Sequence, residues 1–377
     1  MKIDTFLIVF NTVKLLVVFL LMVQAVPILV WVERRGSAFI QNRFGPNRVG
    51  PLGLMQLLAD AVKFLFKEEF APKQGVAILY YAAPAFALVP AALAMGAIPL
   101  ASPLDLTVGG TQYHLPMQTF EIGVGIVFVL GVSSLGTYSL LMAGFGSSNK
   151  YSLLGALRAS AQMISYELAL SLSLVSMLIL YGSFNFAEII AQQTGSMTFT
   201  WFGVEKSIWF LPNWGFFYNP LAMILFFAAT FAESNRLPFD LPEAEGELVA
   251  GFHTEYGGFK MLMFYIGEYG HMMVSSLLLA TFFFGGYQIP FISPAEVLAF
   301  FTAKVGEGNL PSILTALVHH VVLLVKMGIF LWIFVWVRWT LPRFRYDQLM
   351  DLGWKTMLPW ALGTTVVSAI WIYLMHA

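Results

Sequence analysis

"SAQMISYELALSLSLVSMLILY", residues 160–181, carries a single charged side chain, Glu167, in a run dominated by Leu, Met, Ile and Val. A helix needs roughly 20 such residues to cross the hydrocarbon core of a bilayer. Backbone facing lipid must satisfy its own hydrogen bonds, so a spanning segment of this kind is a helix. The stretch is one of eight. The others fall at about 6–31, 76–98, 120–143, 217–236, 259–285, 311–338 and 355–375. Composition agrees: 58% of the 377 residues are hydrophobic and 11% are charged, against about 25% charged in an ordinary soluble domain. The chain reads as an all-α polytopic membrane protein, one membrane domain over 1–377 with eight transmembrane helices. The N-terminal apolar run has no small-residue cleavage site and reads as a retained first span.

The connections between the spans are unequal in charge. Arg34, Arg35, Arg43, Arg48, Lys63, Lys67 and Lys73 follow span 1, whereas the connections after spans 2, 4 and 6 hold only Lys206 and Lys304. By the positive-inside rule the odd-numbered connections face the cytoplasm and both termini lie outside. The long, aromatic-rich outer segments 182–216 and 286–310 are expected to be interfacial helices or loops. On the inner side, residues 50–67 place Leu54, Leu57, Leu58, Val62, Leu65 and Phe66 at helical spacing, with Asp60, Lys63 and Lys67 between them. An amphipathic helix on the cytoplasmic side is expected there.

Net charge is −1 and there are no cysteines. No field recruits nucleic acid, and neither disulfides nor Cys-ligated iron–sulfur clusters can form in this chain. The Gly-rich phosphate loops and nucleophile triads of common enzymes are absent from the sequence. A bis-histidine haem would need facing histidines in spans, and only His271 and the His319/His320 pair qualify. No bound cofactor or metal is therefore expected.

The acids are concentrated. "AESNRLPFDLPEAEGELVAGFHTEYGGF", residues 232–259, holds Glu233, Asp240, Glu243, Glu245, Glu247 and Glu255. "DLPE" matches a capping box, with Asp240 as the cap, Pro242 in the first turn and Glu243 three residues on. Asp240, Glu243 and Glu247 would share one face of the short helix so opened. A solvated acidic loop with one acid used as a cap is the plain alternative. Glu167 and Glu268 lie within spans, where a carboxylate costs roughly 2.5–3.5 kcal/mol and marks a functional site by default. Tyr166 and Tyr269 are their neighbours in sequence and candidate proton-sharing donors. Glu233, three residues from Arg236, is a candidate ion pair. Glu121, at the outer start of span 3, reads as interfacial. Closely spaced carboxylates titrate as coupled groups, and proton handling is the chemistry they suggest. "WVERRGSAFIQNRFGPNRVGP", residues 31–51, sets Glu33, Arg34 and Arg35 at the inner end of span 1, with Phe39 and Phe44 among the cations. These arginines serve either as topogenic anchors or as the cationic mouth of an apolar pocket. A similar patch recurs at 337–355, "VRWTLPRFRYDQLMDLGWK".

Three segments, 33–63, 232–258 and 341–355, resemble the signature segments of the ND1 family of respiratory complex I, the proton-pumping NADH–quinone oxidoreductase. The resemblance covers essentially the whole chain. Two departures are Leu57, where the family usually has proline, and Ser234, where it has threonine. The resemblance implies a membrane-arm subunit that builds a quinone tunnel with peripheral-arm subunits and carries an acidic path away from it. NADH, FMN and iron–sulfur clusters would reside in those partner subunits, with quinone as substrate and membrane lipids around the chain. On this sequence the tunnel and its mouth match Glu33, Arg34, Phe39, Asp60 and Lys63, with Arg236 and Arg338 nearby, and the segments 32–75 and 237–258 are the cytoplasmic-side quinone-site loops. The proton path matches Tyr166, Glu167, Glu233, Asp240, Glu243, Glu245, Glu247, Glu255, Glu268 and Tyr269. Arg343 and Arg345 would steady the inner loops. The resemblance places the chain in a bacterial plasma membrane rather than the mitochondrial inner membrane. Two other assignments stay open from sequence: a membrane subunit of a related hydrogenase or other-donor dehydrogenase, and a stand-alone proton-coupled transporter.

Overall fold

The computed structural model describes residues 5–108, 111–201, 204–240 and 249–376. The long helices are α1 (Thr5–Ile40), α3 (Ala77–Ala97), α4 (Gly125–Gly146), α5 (Lys150–Tyr181), α9 (Gly258–Phe283) and α11 (Asn309–Thr340). Near the C-terminus, α12 (Tyr346–Asp351), a π-helical stretch (Leu352–Met357) and α13 (Leu358–His376) run on without a break. The shorter helices are α2 (Gln56–Phe66), α6 (Phe186–Gln192), α7 (Gly215–Tyr218), α8 (Pro220–Glu233) and α10 (Pro294–Val305).

Among the described residues six helical segments are long and apolar enough to cross a membrane: 8–40, 77–97, 125–146, 150–181, 309–340 and 346–374. The two remaining expected spans depart from that pattern for different reasons. Helix α8 has 14 residues, about 21 Å at 1.5 Å per residue, which is short of a roughly 30 Å core. The chain turns at Asn219, whose Oδ1 caps Ala222 N at 3.0 Å, and Pro220 begins the new helix. Helix α9 is long enough at 26 residues, but Lys260, Glu268 and His271 interrupt its apolar run.

Two β-ribbons lie between the long helices, one at 104–115, where no element is expected from the sequence, and one in the 182–216 segment. Strands β1 (Leu104–Val108) and β2 (Thr111–Leu115) form an antiparallel ribbon, and β3 (Ser196–Trp201) pairs with β4 (Val204–Pro212) in a second. Segment 182–216 thus holds the short helix α6 followed by a β-ribbon, while 286–310 does carry the expected helix, α10. Ser293 opens α10 with a capping box to Glu296.

Close packing through small residues holds the bundle together. A Cβ placed on Gly267 would meet Ala87 O at 2.6 Å, and one on Gly270 would meet Ala91 Cβ at 2.9 Å. Helices α9 and α3 therefore lie backbone to backbone. Where α9 ends, Lys326 of α11 donates to Phe284 O, Gly286 O and Gln288 O at 2.7, 2.9 and 2.6 Å. Its ammonium gathers the carbonyls of the C-cap and of the turn that follows α9, and it complements the negative end of that helix dipole. The opposite end of the bundle, where α1, α8 and α11 finish and α9 starts, gathers Arg34, Arg236 and Arg338. This is the cationic end of the molecule.

Candidate functional site: a buried ion network and an adjoining cavity

Helix α1 presents two consecutive charges in opposite directions. Glu33 is buried, with a relative exposure of 8%, whereas the Arg34 side chain is half exposed. A step of 100° along a helix separates them, and the bundle lies on one side only. Glu33 Oε2 accepts from Tyr269 Oη at 2.6 Å and from Arg236 Nη1 at 3.4 Å. Its Oε1 is paired with Arg338 of α11. Arg236 Nε in turn lies 2.9 Å from Glu268 Oε1, an ion-pair contact rather than an aligned hydrogen bond. The Arg236 guanidinium also stacks over the Tyr269 ring, 4.1 Å from its centroid. Four elements thus converge on two carboxylates and two guanidiniums. Charges at this depth persist only because they are paired.

The loop that delivers Arg236 is held before and after it. Gln162 Nε2 on α5 donates to Ala232 O at 2.9 Å and Phe239 O at 2.8 Å. Phe239 packs between Tyr166 and Phe344, and Phe344 N donates to Pro238 O at 3.2 Å. Arg343 reaches Asp240 O.

Beside this network lies a cavity lined by Glu233, Glu268, His253, His271, Gly136 and Ser139, among others. The space open to water is about 50 Å³, and a single water needs roughly 10–15 Å³ on that measure. Room exists for a short file of waters. Glu268 belongs to both the cavity and the Arg236 pair, so it joins the two. Close backbone contact holds the turn that carries Phe252 and His253, where a Cβ on Gly155 of α5 would meet Gly251 Cα at 2.8 Å. Gly251 itself has φ +55°, a left-handed conformation that favours glycine.

The expected site residues sort as follows. Glu33, Arg236, Arg338, Glu268 and Tyr269 are brought together, so members of the tunnel set and of the acid set share one network. Glu233 and Arg236 do not pair: the chain leaves the helix between them, and Arg236 turns to Glu33 and Glu268 while Glu233 faces the cavity. Tyr269 bonds to Glu33 rather than to its neighbour Glu268. Tyr166 likewise does not serve Glu167; its hydroxyl donates to Leu349 O at 2.8 Å. Glu167 lies on the partly exposed side of α5, within electrostatic reach of Glu233, and does not line the cavity. Glu255 stands apart, its Oε1 accepting from Asn149 Nδ2 at 2.8 Å. Nearby, Tyr256 donates to Tyr80 O at 3.0 Å, and burial, with Tyr80 alongside, pushes its phenol above the usual tyrosine range. Glu243, Glu245 and Glu247, with the expected capping-box helix, lie outside the described residues.

Arg34 pairs with Asp60 of α2, and Gln56 donates to the same carboxylate at 2.9 Å. Helix α2 is amphipathic as expected, yet none of its residues is buried. Phe39, Phe44 and Phe66 are exposed by 68%, 91% and 85%. Lys63 is exposed as well. Sequence reasoning missed His253 and His271 as cavity residues. The signal for His271 was an intramembrane histidine three residues after an intramembrane glutamate, one helical turn along the same face.

The architecture defines a class: a polytopic helical membrane protein with paired ionisable groups and, beside them, a cavity that two glutamates and two histidines help to line. Residues 13–369 match the family model described as NADH dehydrogenase. The chain is 61% identical over 377 residues to the H subunit of NADH-quinone oxidoreductase from Bdellovibrio bacteriovorus, covering 98% of each chain. It is 41% identical over 356 residues to the protein of the same name from Salinibacter ruber, covering 94% of each. It is 42% identical over 354 residues to NADH-quinone oxidoreductase subunit 8 of Rhodothermus marinus, again covering 94% of each. The chain belongs to the NADH dehydrogenase family, as one of the membrane subunits of NADH-quinone oxidoreductase.

Proposed function

We propose that this chain is the membrane-arm subunit of an NADH–quinone oxidoreductase that forms part of the quinone tunnel and couples quinone reduction to proton translocation. The observation that carries the proposal is the continuity from Glu33 through Arg236 to Glu268 and the water-sized cavity with Glu233. The names of the relatives favour NADH and quinone over a hydrogenase or another electron donor. The chain sits as a multi-pass protein in a bacterial plasma membrane, with the cationic end toward the cytoplasm and both termini outside. Peripheral-arm subunits carrying FMN and iron–sulfur clusters supply the electrons.

The roles of the residues follow from their chemistry. At the cationic end, Arg34 held by Asp60, the exposed Phe39 and the apolar face of α2 form one wall of the tunnel mouth, which partner subunits complete; Lys63 lies on its rim. Quinone reduction draws protons and changes charge near that mouth. Glu33 feels the change because its carboxylate balances Arg236 and Arg338 and holds the Tyr269 hydroxyl. A shift of Arg236 between Glu33 and Glu268 alters the proton affinity of Glu268, since an opposite charge nearby favours the ionised carboxylate. Water in the cavity then carries a proton between Glu268 and Glu233, and Glu167 with, by the family resemblance, Asp240, Glu243, Glu245 and Glu247 extends the path.

The test is Glu233→Gln in the assembled complex, in inverted membrane vesicles. Quinone-linked proton uptake should fall by roughly tenfold or more, within the range a positioned acid–base group supplies. Undiminished uptake would refute the coupling role. A second expectation concerns the mouth. Arg34→Ala and Asp60→Asn should both raise the apparent KM for quinone by several-fold, since each breaks the same pair. Unchanged KM in both would leave Arg34 as a topogenic anchor only.

A further inference from the structure

His271 lies on α9, three residues beyond Glu268, and is buried with a relative exposure of 8%. Its ring borders the cavity that Glu233 and Glu268 also line. Nε2 is fully enclosed and has no hydrogen-bond partner among the described residues. A buried imidazole nitrogen left unpaired costs free energy unless water or a transient partner meets it. The cavity beside the ring has room for water. The neighbouring helix makes space for this atom: a Cβ on Gly136 of α4 would stand 3.0 Å from Nε2. The ionisable groups facing the cavity besides His271 are Glu233 from α8, Glu268 from α9 itself and His253 from the 251–253 turn; α3 and α4 contribute Ala87, Gly136, Ser139 and Leu140, none of them charged.

We propose that His271 is a proton-transfer residue of this cavity, standing between Glu268 and Glu233 and bonded to them through water at Nε2. The proposal rests on the coupling role given above and names a group that role does not require. In the transfer, Nε2 takes a proton, by way of a cavity water, from one protonated carboxyl. An imidazolium and a carboxylate result. The same nitrogen then releases that proton to the other carboxylate, which restores the neutral ring. No electron moves and the proton count is unchanged.

The experiment uses the assembled complex in inverted vesicles with His271→Asn, with the redox-induced infrared difference spectrum on 15N-histidine label as a second readout. NADH oxidation by an artificial acceptor at the peripheral arm fixes the amount of complex. Proton uptake per quinone reduced should drop by at least about threefold, and a label-sensitive imidazole band present in the parent should vanish in the variant. Gly136→Ala, which keeps the histidine but crowds Nε2, should lower proton uptake in the same direction, and it serves if His271→Asn fails to assemble. Full proton uptake in either assembled variant, or an imidazole band that survives His271→Asn, overturns the proposal. If Glu233→Gln pumps normally, the coupling role itself fails. If Glu233→Gln is impaired while His271→Asn is normal, only the histidine's part is lost.

Discussion

Arg236→Ala should leave almost no active complex. Its guanidinium stands between Glu33 and Glu268 and contacts both, and its side chain is 7% exposed. Removing one partner of a buried ion pair costs about 3–5 kcal/mol, because the remaining charge stays desolvated. Here two carboxylates are involved. Glu33 would keep Arg338 and the Tyr269 hydroxyl, so Glu268 bears most of the penalty. Either the loop reorganises or Glu268 holds a proton permanently, and both outcomes remove its exchange with the cavity. Arg236→Lys keeps the charge but lacks the planar fork that can address two carboxylates and stack on Tyr269. Assembly on native gels and quinone reductase activity should therefore rank parent, Lys variant, Ala variant. An Ala variant with parental turnover would show that the pairing has no consequence.

Glu33→Gln is expected to have the next largest effect and a different character. The side chain keeps its size and still accepts from Tyr269, so assembly should survive. Its negative charge is lost between two guanidiniums. A charge-assisted hydrogen bond contributes about 1.5–3 kcal/mol, which corresponds to roughly tenfold or more in the occupancy of the paired arrangement. Arg236 should then bind Glu268 more persistently, and Arg338 should relax toward solvent. Quinone reductase turnover is expected to fall by about an order of magnitude on that arithmetic, with little change in complex content. Measuring both on the same membranes separates this outcome from simple instability. Unaltered turnover would remove Glu33 from the coupling route.

The all-α membrane character was legible in the sequence because the bilayer imposes length and hydropathy together, and six of the described helices meet both demands. Residues 160–181 lie within α5, and the amphipathic residues 56–66 are helical as expected. The difficult cases were α9, which carries Lys260, Glu268 and His271, and α8, which begins at Pro220 and has 14 residues. The two β-ribbons were missed although each had a signal. Residues 104–115 read as two short alternating strands around Gly109-Gly110, a hairpin pattern, and Thr, Val and aromatic residues fill 196–212. The 182–216 segment, between two long apolar spans, reads from composition as interfacial helices or loops, and residues 104–115 carry no such reading. Among site residues, Glu167 and Glu268 stand out in the sequence because charge is costly within a span. Their pairings were not found, because sequence neighbours leave a helix in different directions. Arg236 bypasses Glu233 for Glu33 on α1, and Tyr166 bypasses Glu167 for a backbone carbonyl on α12. Only the fold brings α1, α9 and α11 to one point.

Proton translocation per quinone reduced, measured in vesicles containing the assembled complex with Glu268→Gln, bears most directly on the coupling route. Glu268 is the residue shared by the Arg236 pair and the cavity. If that junction carries the proton, the variant should translocate far fewer protons per quinone than the parent, with the complex fully assembled. A parental ratio at parental turnover would contradict the account.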